Sequence, residues 1–193
     1  MRKRILLLLV AVLCVSLCAC GNKVDNLISE IATLENKEIT LADKERIEKI
    51  YDKYLALSED EKAQITNYDV LKEADEVIVY YTIQEDTLNA APKAVEEYAK
   101  SYCKIPSTMQ VIKSETYPAK NDNFVAFVRL QFTAENSFGG KVEETLFAKV
   151  YCGATTQIKE YHFGDAHETW DDVGWADWIM EGIDFENKYI PNK

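Results

Sequence analysis

The chain holds only two histidines, both within His162-Phe163-Gly164-Asp165-Ala166-His167-Glu168. Imidazole nitrogen with carboxylate oxygen is a usual donor set for a divalent metal, so His162, Asp165, His167 and Glu168 can be drawn as ligands. Their spacing is off helical register at a strand-to-loop exit, which favours solvated surface instead, and no metal or other cofactor is expected. Nucleophilic chemistry would fall to Cys103 or Cys152. A reactive thiolate needs an adjacent base and an electropositive setting, and the sequence shows neither. No Gly-x-Ser-x-Gly, His-Glu-x-x-His or phosphate-cradling glycine loop occurs. The carboxylate pairs Glu96-Glu97, Glu143-Glu144 and Asp171-Asp172 read as solvated faces of an acidic chain. Asp171, Asp172 and Asp177 lack the oxygen spacing of a calcium loop. A hydrolase is therefore the third reading, behind a binding module and a structural protein.

The strongest candidate for binding is aromatic. Trp170, Trp175 and Trp178 crowd into nine residues that also hold three aspartates. Thr169 with Asp172 has the form of a capping box, and Gly182 suits a helix end, so a short C-terminal helix is predicted. On it Trp175, Trp178 and Ile179 share one stripe, while Trp170 points elsewhere. Either the stripe packs on the sheet, or Trp170 and an edge of the helix stay exposed as a ligand platform, since large rings suit binding hot spots.

Five cysteines divide by position. Arg2, Lys3 and Arg4 precede an unbroken apolar run, Ile5 to Val15, in the charge and hydropathy order of an export signal. Leu17-Cys18-Ala19-Cys20-Gly21 follows; it resembles the lipobox of bacterial lipoproteins, with an aliphatic residue three before the cysteine and a small residue directly before it. Cys14 and Cys18 each follow a leucine, too large for that position, so Cys20 alone fits. The resemblance implies that residues 1–19 are removed and that Cys20 carries the acyl chains, palmitate-like in class. At about 0.8 kcal/mol per buried methylene, two or more chains give a stable anchor on the extracytoplasmic face of the cell membrane. Cys103 and Cys152 remain. In that compartment they can be bridged or stay as two separately buried thiols, a bridge needing Cα atoms within about 7 Å.

Removing Arg2, Lys3 and Arg4 from the 22 basic residues leaves 19 against 33 acidic ones, a net charge of −14. Such a surface disfavours nucleic acid and anionic headgroups, which need a basic footprint, so membrane attachment rests on the lipid. A hydrophobic content of 47% suffices for real cores, and seven glycines with four prolines argue against a disordered linker protein.

Two sets of elements must position these groups, and the fold class is α+β. Over residues 20–82 the spacing predicts a small antiparallel helical module. Its stripes are Val24, Leu27, Ile28, Ile31 and Leu34; then Ile47, Ile50, Tyr51, Tyr54 and Leu55 after Thr40; then, past Asn67, Val70, Leu71, Ala74, Val77 and Ile78. Ser58 with Glu61 forms a capping box that opens a short helix between them. The runs Val24 to Ile28, Ile47 to Tyr54, Leu57-Ser58, Asn67-Tyr68 and Leu71 to Ala74 resemble a helical module of Gram-positive surface proteins, which implies a spacer or adhesive unit.

Thr82 to Ala91 loses apolar helical periodicity, so a boundary is expected there, with Pro92 in the first turn of a new helix. That helix buries Val95, Tyr98, Ala99, Tyr102 and Cys103 and ends ahead of Pro106, because the residue before a proline avoids the helical region. Residues 86–193 then form the α+β domain. Period two appears in Phe124 to Ala134 and in Val142 to Cys152, with the turn Asn136-Ser137-Phe138-Gly139-Gly140 between them. Shorter strands are predicted over Met109 to Thr116 and Gln157 to Phe163. Tyr98 to Gln110 and Glu135 to Gly140 resemble an uncharacterised α+β domain of Gram-positive lipoproteins, in which a leucine stands at the position of Cys103. The resemblance implies a core role for Cys103 and assigns no activity. The expectation is thus a non-catalytic membrane-anchored lipoprotein binding a peptide, a protein or a cell-wall component. The alternative is a scaffold packing against a partner lipoprotein or transporter.

Overall fold

Residues 23–179 are described by the structure, a computed structural model. The signal segment, Cys20 and Gly182 lie outside them. The chain forms two units, divided between Val79 and Tyr80.

In the first unit, α1 is helical over 23–32 and is followed by α2 (Lys44–Leu55), α3 (Glu59–Lys62) and the opening of α4 (Tyr68–Tyr102). The apolar stripes close on one another: Val24, Leu27, Ile31 and Leu34 are buried with Ile47 and Ile50, and with Leu71, Ala74 and Ile78. Leu55 ends its stripe in solvent. Ser58 and Glu61 form the predicted capping box at α3. Asp43, ahead of α2, accepts from the Thr40 N–H and hydroxyl and pairs with Lys37. Asn67 does more than precede α4: its amide donates to the Ile28 carbonyl at 2.9 Å and ties α1 to the start of that helix.

The new helix expected to start at Pro92 is corrected. Residues 82–91 are helical throughout, and Pro92 lies inside α4, where its missing N–H leaves the Leu88 carbonyl without the usual i→i−4 bond. The buried face runs Gln84, Thr87, Ala91, Val95 and Ala99 at helical spacing. Over 82–91 its members are the polar Gln84 and Thr87 and the small Ala91, so a search for large apolar residues finds no period there.

In the second unit, β1 (Gln110–Pro118), β2 (Val125–Glu135), β3 (Lys141–Cys152) and β4 (Thr156–Gly164) form an antiparallel meander in sequence order. All four strands fall where period two places them. Ala126, Val128 and Leu130 of β2 and Leu146, Ala148 and Val150 of β3 pack against Ala91, Val95 and Ala99 of α4. Alanines on the helix let its backbone approach the sheet closely. The Asn136 turn is held by its own side chain, whose Oδ1 accepts from the Phe138 and Gly140 N–H groups, while Gly139 takes φ +76°.

The other face is covered at one end by the C-terminal segment, and here the predicted helix is corrected. Thr169 does donate to Asp172 through both its N–H and its hydroxyl. Yet the turn so opened closes at once: the Trp175 N–H reaches the Trp170 carbonyl and the Gly174 N–H that of Asp171, with Gly174 at φ +74°. That is the Schellman closure, and Gly174 supplies its left-handed residue. Only a 3-10 turn, Ala176–Trp178, follows. With no helix, the stripe assignment changes. Trp170 and Trp175 stack at 6.4 Å and pack on Phe127, Ile179 is fully buried and bridges Ala119, and Trp178 is 60% exposed.

Candidate functional groove at the end of helix α4

The residues with the most chemistry do not converge. His162 Nε2 lies 2.8 Å from Glu168 Oε2, while His167 is exposed and Asp165 Oδ1 accepts the His167 backbone N–H. Among the described residues, no three His, Cys, Asp or Glu side chains gather as a metal site. Glu96 pairs with Lys100, and Asp172 with Thr169. Cys103 and Cys152 are both free, which corrects the bridged reading. Cys103 Sγ donates to the Ala99 carbonyl, and Cys152 Sγ to that of Thr87, so each thiol is engaged with α4. Burial, then the Glu144 carboxylate, pushes the Cys103 thiol up, and burial does the same to Cys152 despite a hydrogen bond from Thr156. Both shifts run opposite to an activated thiolate. Trp170 sits edge-on to Phe147 at 5.1 Å and is half-buried, so of the three tryptophans only Trp178 offers a ring mainly to solvent.

A different aromatic group gathers where α4 ends. Ile105 is extended (φ −127°, ψ 84°) ahead of Pro106, and the helix stops at Tyr102. The hairpin continues, so Phe132 and Ala134 of β2 and Val142 and Glu144 of β3 extend past the helix. With Tyr102, Cys103 and Lys104 they line a cavity of about 190 Å³. Val142 belongs to the core-facing row by period, yet it is 39% exposed because no helix covers it.

Beside this cavity stand Tyr98, Tyr102, Tyr161 and Phe163. Tyr98 and Tyr102 are one helical turn apart; Tyr161 and Phe163 share one face of β4. Tyr98 lies 4.9 Å from Tyr102 and 5.1 Å from Tyr161, and Tyr102 lies 5.3 Å from Phe163, with planes inclined by 49–60°. Tyr102 is 52% and Tyr161 48% exposed; of Tyr98 and Tyr102, both expected in the buried stripe, only Tyr98 is partly covered. The hydroxyls form a chain, Tyr98 to Tyr102 at 2.9 Å and Tyr102 to Tyr161 at 3.3 Å. Burial and the hydrogen bonds to Tyr102 and Tyr161 push Tyr98 up, while hydrogen bonds from Tyr102 and Tyr98 hold Tyr161 down. Chemically, such a site offers aromatic faces, hydroxyl donors and an apolar recess rimmed by carboxylates. Comparison with protein-family models, with curated proteins and with solved structures finds no match.

Proposed function

We propose that this chain is a lipid-anchored, non-catalytic binding protein on the extracytoplasmic face of the cell membrane, and that its α+β unit takes its ligand at the groove beside Tyr102. The observation that carries the reading is the exposed cluster of Tyr102 and Tyr161 next to an uncovered apolar recess. Large half-exposed rings with hydroxyl tips bury area at low entropic cost, which is why tyrosine is favoured at recognition surfaces. No described helix is long and apolar enough to cross a membrane. The order of Arg2 to Val15 and the Ala19-Cys20 pair support anchoring through acyl chains on Cys20.

The test uses isolated cell envelopes. In the unacylated Cys20→Ser background, protein carrying Tyr102→Ala and Tyr161→Ala, both at exposed positions, should fold normally but lose retention on envelopes stripped of the lipid-anchored pool by about tenfold, the equivalent of about 1.4 kcal/mol. Equal retention of variant and wild type would reject the groove. Cys20→Ser should abolish labelling by radioactive palmitate, and a labelled variant would reject the anchor.

A further inference from the structure

We propose that the groove binds an extended, proline-containing segment of another protein that carries one basic residue, its proline rings lying between the tyrosines and its basic side chain reaching Glu144. This rests on the binding function proposed above and names the ligand class.

The ring geometry selects the first half of the ligand. No two neighbouring rings in the cluster are coplanar: their inclinations are 49° for Tyr98 with Tyr102, 60° for Tyr98 with Tyr161, 53° for Tyr102 with Tyr161 and 52° for Tyr102 with Phe163. A flat pyranose chain stacks best on rings lying in one plane, which this cluster does not offer. Inclined rings form ridges with slots between them, and a polyproline helix, with three residues per turn and no internal hydrogen bonds, presents compact rings to such slots and leaves its carbonyls free. The hydroxyl chain complements those carbonyls. Either oxygen of each pair can donate, so the chain can turn a proton toward a ligand carbonyl.

The charges select the second half. Glu135, Glu144 and Lys104 are the charged residues of the recess, and among the described residues none of them is in an ion pair. Glu144 lines the recess while staying exposed, and its charge bears on the Cys103 thiol. Two carboxylates against one ammonium, in a chain of net charge −11, favour a cation. An arginine or lysine can lay its aliphatic stem on Phe132 and Val142 while its head meets Glu144. Acidic ligands are disfavoured by the same field.

Mature full-length protein in detergent micelles is titrated, by fluorescence anisotropy, into labelled ten-residue peptides: a proline-rich peptide with one arginine, its alanine-for-proline counterpart and its citrulline-for-arginine counterpart. Chitohexaose is the saccharide probe, read by competition and by calorimetry. The first peptide should bind at least about tenfold more tightly than either counterpart. Tyr102→Ala with Tyr161→Ala should remove that binding, and Glu144→Gln should weaken the arginine peptide about tenfold while leaving the citrulline peptide unchanged. Equal binding of the alanine-for-proline peptide, insensitivity to Glu144→Gln, or no peptide binding at all would overturn the assignment. Chitohexaose binding lost in the tyrosine variant would overturn it too, yet leave the binding function standing; envelope retention insensitive to the tyrosines would remove that function itself.

Discussion

Thr87→Val and Ala91→Leu should change the stability of the second unit in opposite directions, because both positions lie on the buried face of α4 where apolar periodicity fails. Thr87 is 1% exposed and its Oγ1 has no hydrogen-bond partner. Valine keeps the shape and has nearly the same helix propensity, so the substitution removes only an unsatisfied hydroxyl. Such a group costs about 1–3 kcal/mol, and we expect a gain near the lower end, about 1 kcal/mol. Ala91 is 0% exposed and packed against the sheet, so added methylenes should cost about 1–3 kcal/mol. For a unit spanning Tyr80–Lys188, this corresponds to about 4 °C upward for Thr87→Val and about 4–12 °C downward for Ala91→Leu. Urea and thermal melts followed by tryptophan emission isolate the effect, since Trp170, Trp175 and Trp178 all belong to that unit. Glu85→Ala, on the exposed side of the same turn, serves as the control and should stay within about 0.5 kcal/mol. If all three variants melt like the wild type, residues 82–91 are a solvated connector and the buried face is wrong.

The other predictions are independent of this one. Burial raises the Asp43 carboxyl, but hydrogen bonds and charge from Lys37, with the Thr40 N–H and hydroxyl, outweigh it and hold the group below its ordinary 3.8. A lowered native value gives stability that is present above the unfolded pKa and lost as pH falls through the native one. Asp43→Asn should therefore destabilise the helical unit by about 1–2 kcal/mol at neutral pH, and its far-ultraviolet melt should converge with the wild type in acid, below pH 3.8; a gap that persists there would exclude the charge. In single-tryptophan variants, iodide should quench Trp178 strongly and Trp170 and Trp175 weakly, and a shielded Trp178 would contradict the packing. Denatured protein should titrate as two free thiols, Cys103 and Cys152, whereas the native protein should alkylate slowly near neutral pH because burial keeps both protonated.

Periodicity found what depends on one dominant signal. The strands were legible because β2 and β3 alternate large apolar residues with polar ones over 11 and 12 residues, and the first unit because its stripes carry leucine and isoleucine. Where the signal is mixed, the reading failed for identifiable reasons. Gln84, Thr87 and Ala91 build a helical face without a large apolar residue, so composition resembled a linker. In the C-terminal segment, Thr169 with Asp172 starts a turn as expected, but Gly174 stops it after one turn, and a stripe computed for a longer helix exchanges Trp170 with Trp178.

The groove was only half legible. Tyr98 with Tyr102 and Tyr161 with Phe163 each show the spacing of one face, but nothing local says that the faces meet at the end of the helix and not beneath it. That follows from the unequal rise of the two elements, once one point of register is known. Cys152 Sγ meets the Thr87 carbonyl, which pins the helix to the start of the row. From Thr87 to Tyr102 the helix gains about 22 Å at 1.5 Å per residue. From Cys152 back to Val142, β3 covers about 33 Å at 3.3 Å per residue. A helix running alongside the strand thus ends between the levels of Leu146 and Thr145 and falls short of Val142 by about 11 Å, or about three strand residues. Tyr102 lies 5.3 Å from Phe163, the cross-strand partner of Leu146, which is the level that this length requires. Pro106 fixes the shortfall by holding Ile105 out of the helical region, so the recess over Val142 and Glu144 is a consequence of where one proline stands. Ala substituted at Pro106 lifts that restriction on Ile105. A helix extended by one turn would bring the next side chains over Val142, and the groove would close.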